Sequence, residues 1–114
     1  MNPIDIMYKY ALGVFGEKRV QRTKNELGAI DIYIHPNIST VMTNCYHPRL
    51  VHISSDGEYY WMSIDDFQWE FDDNTQNFLK TTPAYLDAVK DNTLYVSAVN
   101  IGKFKLFKKL EIKL

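Results

Sequence analysis

Residues 50–73 read LVHISSDGEYYWMSIDDFQWEFDD, and their alternation decides the fold. Val51, Ile53, Tyr60, Met62 and Ile64 fall on one face of a hairpin. Tyr59, Trp61 and Ser63 fall on the other. Period two over two segments joined by a turn signal is the mark of a half-buried antiparallel pair. Ser55-Asp56-Gly57 supplies that turn. Phe67, Trp69 and Phe71 alternate with Gln68 and Glu70, which predicts one more short strand. The segment 56–73 also holds seven acids, six aromatics and both tryptophans, with no Lys or Arg.

Working outward, Ile30, Ile32 and Ile34 alternate with Asp31, Tyr33 and His35, giving a strand from about Ala29. Ser39 to Tyr46 is rich in Thr and Val and reads as another, ended by His47-Pro48. The polar run 17–28 is an edge strand or a loop. Asn2-Pro3 is a cap followed by proline at the first helical position. Ile4, Tyr8, Ala11, Leu12 and Phe15 then recur at helical spacing, so a helix is expected over 3–15 with Gly16 as its stop. Asp72 to Thr81 is polar and turn-like, and Thr82-Pro83 predicts a short second helix near 83–90. Thr93 to Val99 and the C-terminal KFKLFKKLEIKL read as strands. The expected class is α+β: one domain over 1–114, with a helix on a mostly antiparallel sheet of five to six strands. Closure of that sheet into a small barrel is the variant form.

The chain has 114 residues, 46% hydrophobic and 24% charged, with a net charge of −1. That suits a single ordered core. Residues 1–53 carry six basic and four acidic groups (+2), residues 54–91 two and nine (−7), and residues 92–114 five and one (+4). A lone Cys45 needs no oxidising compartment, and Met1–Gly16 does not read as a secretory signal. A cytoplasmic protein without a membrane segment is expected. Ten lysines against three arginines, with abundant Ile, Asn, Tyr and Phe, suggest an AT-rich genome such as those of many bacteria, phages and mobile elements.

Functional expectations follow the charge. The acidic aromatic segment predicts a surface for a basic protein partner, for example a nucleic-acid-binding protein, carried by Tyr59, Trp61, Asp65, Asp66, Asp72 and Asp73. The corresponding function is a small regulatory or inhibitory module, for example a phage accessory protein that blocks a host factor. The alternative is nucleic-acid binding through segments 18–24 and 103–113, with Lys18, Arg19, Arg22, Lys24, Lys103 and Lys105 on the phosphates. A third reading is an assembly subunit that forms homo-oligomers.

His35, Cys45, His47 and His52 have metal-ligand chemistry but no finger spacing, so no metal or other cofactor is expected. No phosphate loop, nucleophile elbow or H-E-x-x-H is present, and Asp65-Asp66 on a strand would face opposite ways. An enzyme is not expected. Residues 103–111, KFKLFKKLE, resemble the basic amphipathic opening of cecropin-type antimicrobial peptides. Such a resemblance implies a membrane-surface helix, against which Glu111 and the folded domain before it argue.

Overall fold

The structure, a computed structural model, describes residues 2–36, 45–100 and 106–113. Helix α1 spans Pro3–Phe15. The Asn2 side chain accepts the Ile4 N–H, and Gly16, at φ +85°, donates its N–H to Leu12. Five strands follow as an antiparallel meander: β1 (Val20–Lys24), β2 (Ile30–Ile34), β3 (Val51–Ser55), β4 (Tyr60–Ile64) and β5 (Phe67–Asp72). Helix α2 (Thr75–Asp91) leads into a separate hairpin, β6 (Leu94–Asn100) with β7 (Leu106–Ile112). This is an α+β fold whose main sheet is open, so the barrel variant is corrected. Residues 39–44 of the strand expected at 39–46 lie outside the described residues; Cys45 and Tyr46 are outside any strand.

The core lies between one sheet face and the two helices. Register aligns Ile34, Val51 and Ile64 in one row and Ile32, Ile53 and Met62 in the next, all buried. Ile4, Met7, Ala11 and Phe15 of α1 and Phe78, Leu86 and Val89 of α2 cover them. Each fully buried side chain of this size contributes about 1.5–3 kcal/mol. Phe78 stacks on Tyr60 at 4.6 Å between ring centroids and meets Phe71 edge-on at 5.6 Å.

The second helix is longer than the sequence suggests. It begins eight residues before Pro83, capped by Asn74, which accepts the Asn77 N–H at 3.0 Å. Pro83 therefore sits inside the helix, where its missing N–H costs about 3 kcal/mol. Burial of Phe78, Leu86 and Val89 offsets that cost. A cap-plus-proline pair looks like a helix start only until this tertiary packing is known.

Candidate functional site

One end of the main sheet gathers two turns and the exit of β5. Ile30 pairs with Ser55, Ser55 with Tyr60, and Tyr60 with Asp72. The β1–β2 turn, the β3–β4 turn and Asp72-Asp73 therefore share this end. In the first turn the Asn25 side chain accepts the N–H groups of Leu27 and Ala29, both at 2.9 Å. In the second, the Asp56 carboxylate accepts those of Tyr59 (2.8 Å) and Glu58 (2.9 Å). Those two backbone bonds, Tyr59's first, hold the Asp56 carboxyl below its usual range. Both are side-chain-organised turns, and Gly57 supplies φ +100°. The result is a fixed surface with Leu27 94% and Tyr59 41% exposed. Exposed Glu26, Asp56, Glu58, Asp72 and Asp73 lie at the same end of the sheet, with Lys24 at the β1 margin.

Asp65 and Asp66, the other two acids among the partner-binding candidates, lie at the far end of β5. At the strand rise of about 3.4 Å per residue, Asp66 and Asp72 are about 20 Å apart. Asp65, at φ +52°, turns its carboxylate inward to the backbone of Arg49 and Leu50 and to the Tyr46 hydroxyl. Burial first, and then this hydrogen bond, push the Tyr46 phenol well above its usual range. Asp66 is exposed and shares a cleft of about 500 Å³ with Trp69, Lys108 and Leu110. The six partner-binding candidates thus divide: Tyr59, Asp72 and Asp73 at the turn end, Trp61 beside them, Asp65 inside the fold and Asp66 opposite.

The sheet face turned away from α1 and α2 forms a grid of ten side chains. One row across the strands is Gln21, Tyr33, His52, Ser63 and Gln68; the other is Thr23, Asp31, Ser54, Trp61 and Glu70. None is aliphatic, and none is Lys or Arg. Tyr33 stacks flat on His52 at 4.7 Å, and the His52 Nε2 lies 2.9 Å from Asp31 Oδ1. His52, Ser54, Trp61, Ser63, Gln68 and Glu70 line a cleft of about 250 Å³.

Among the described residues the basic candidates do not converge. Arg19 lies over the Phe15 ring and donates its Nε–H to the His35 carbonyl at 3.0 Å. Arg22 lies over Tyr8 and pairs with Asp5 at 3.2 Å. Both arginines thereby fasten β1 to its surroundings. Lys18 and Lys24 are exposed at the β1 margin, whereas Lys108 shares the cleft alongside β5, four strands away. At about 4.8 Å per strand, that is about 19 Å. Lys109 pairs with Glu111 at 3.7 Å. Lys103 and Lys105 lie outside the described residues.

Cys45 Sγ is 3.4 Å from His47 Nε2, His35 is exposed beside Arg19, and His52 engages Asp31. Among the described residues no three His, Cys, Asp or Glu side chains gather at metal-binding distances. No described helix is long and apolar enough to cross a membrane. The segment 106–112, within the peptide-like C-terminus, is strand β7.

The chain matches no protein-family model, no curated protein and no solved structure. Glu26 and Leu27 were not candidates from the sequence alone. Asn25 and Gly28 mark their turn, but only the sheet register places it beside the turn at 56–59.

Proposed function

We propose that this protein is a small binding module that docks a basic protein partner on the turn end of its sheet, in a regulatory or inhibitory role. One observation carries this reading: exposed Leu27 and Tyr59 stand on two hydrogen-bonded turns among five exposed carboxylates. Apolar anchors within a charged rim are the anatomy of a protein interface. Their fixed turns lower the ordering cost of docking. The carboxylates attract a cationic partner and speed its encounter. The separation of the described basic residues, and the engagement of Arg19 by Phe15 and of Arg22 by Asp5 and Tyr8, favour this reading over nucleic-acid binding.

The test is affinity capture from native host lysate with nuclease treatment, using the wild type and a variant carrying D56N, E58Q, D72N and D73N. Asn preserves the turn at 56 and tolerates the positive φ at 72. A nuclease-resistant protein should be captured by the wild type and lost from the variant, with the circular dichroism and melting temperature little changed. Equal capture by the variant, or a nuclease-sensitive catch, would overturn the proposal.

A further inference from the structure

We infer that the cleft between Trp61 and Glu70 receives an arginine side chain of the basic partner. This rests on the reading of that partner as basic and names the group it inserts. Trp61 and Glu70 face each other across β4 and β5, and Ser63 and Gln68 form the next pair along. Directly opposite residues in an antiparallel pair hold their Cβ atoms about 5 Å apart, so indole and carboxylate border one space. The cleft holds about 250 Å³. That is below the usual ~300–1,000 Å³ of small-molecule sites and suits one long side chain.

The chemistry of the lining selects a guanidinium. Trp61 is the best aromatic partner for a cation over its face. Glu70 is exposed, and no described residue bonds or pairs with its carboxylate. Asp31, the other acid of this face, is engaged by His52, which leaves Glu70 as the available anion. A carboxylate accepts two parallel N–H bonds from a guanidinium. Gln68 and Ser63 add acceptors for its remaining donors. The planar fork of arginine can stack on indole while it bonds to a carboxylate; lysine brings a point charge and no plane. The grid around the cleft has no Lys or Arg to repel it. Tyr59 lies 6.4 Å from Trp61 between ring centroids. An arginine seated here therefore brings its flanking residues to the acidic turn end.

The experiment titrates the ¹⁵N-labelled full chain with hexa-arginine and with hexa-lysine, peptides of equal charge, and follows the Trp61 indole N–H. Hexa-arginine should shift that resonance and bind about threefold or more tightly than hexa-lysine, the scale of one further hydrogen bond from the planar fork to the Glu70 carboxylate. The preference should disappear in E70Q and in W61L. The turn-end quadruple variant should weaken both peptides alike. Equal affinities, or shifts confined to the turn-end amides with the Trp61 signal unmoved, would overturn the cleft assignment and leave the basic-partner reading standing. Binding by neither peptide would also overturn the assignment, while lysate capture decides the broader reading.

Discussion

Asp65 and Leu50 are joined twice: the Asp65 N–H donates to the Leu50 carbonyl at 3.0 Å, and the Leu50 N–H donates to Asp65 Oδ1 at 2.9 Å. The same carboxylate accepts the Arg49 N–H at 3.0 Å and the Tyr46 hydroxyl. One side chain thus ties the β4–β5 turn to the segment that enters β3. Asp65→Ala keeps the backbone bond to Leu50 but loses the three that its carboxylate accepts, and it leaves a β-carbon at φ +52° without a local bond. A loss of roughly 2–4 kcal/mol is expected in urea unfolding. Asp65→Asn keeps an acceptor and tolerates this backbone, so it should recover part of that loss.

Alkaline stability should depend on two phenols. Tyr10 donates to Asp87 at 2.5 Å, and this bond with the nearby charge pushes its pKa up to about 12. Tyr46 is raised by burial and by Asp65. A raised pKa means that the folded state holds the proton more tightly than the unfolded chain, where tyrosine titrates near pH ~10. The contribution is fully present below about pH 10 and is lost as pH rises through the folded values. The melting temperature should therefore fall from about pH 10 upward. Tyr46→Phe should start lower, having lost its bond to Asp65, and fall less steeply over that range. An identical slope for the two proteins would contradict this assignment.

Thr82 is fully buried in α2, and its hydroxyl has no hydrogen-bond partner among the described residues. An unsatisfied buried hydroxyl costs about 1–3 kcal/mol. Thr82→Val keeps the branched shape and removes that polar group. It should raise stability by about 1 kcal/mol in chemical denaturation.

Leu27 is 94% exposed and supports no core contact. Leu27→Ser should leave folding stability within about 0.5 kcal/mol. It should nevertheless weaken capture of the protein partner, with Tyr59→Ser acting in the same direction. Increasing salt should weaken the wild-type complex mainly through slower association, because the carboxylates act at a distance. Unaltered partner capture by both variants would remove the apolar anchors from the interface.

Local pattern carried much of the fold. The alternation at 30–34, 51–55, 60–64 and 67–71 specified strands and their buried faces, because the side-chain period of a strand is two. Asn2-Pro3 and Gly16 bounded α1, because backbone caps are local chemistry. The start of α2 was hidden, because Phe78 and Leu79 are the only two apolar residues of the polar run 72–81 and the packing partners of Phe78, Tyr60 and Phe71, are on strands.

The candidate site was less legible. The sequence by itself determined that acids and aromatics crowd residues 56–73 and that Trp61 and Tyr60 face opposite ways. Tertiary structure decided which of those acids belong together. Alternation assigns a residue to a face, but strand length and register assign it to an end of the sheet. Register brought Glu26 and Leu27 to the end that holds Asp56, Tyr59 and Asp72. Strand length carried Asp66 to the other end, and a hydrogen-bonded turn directed Asp65 inward. The acidic run is continuous along the chain and divided in space, because a strand separates its two ends by its full length.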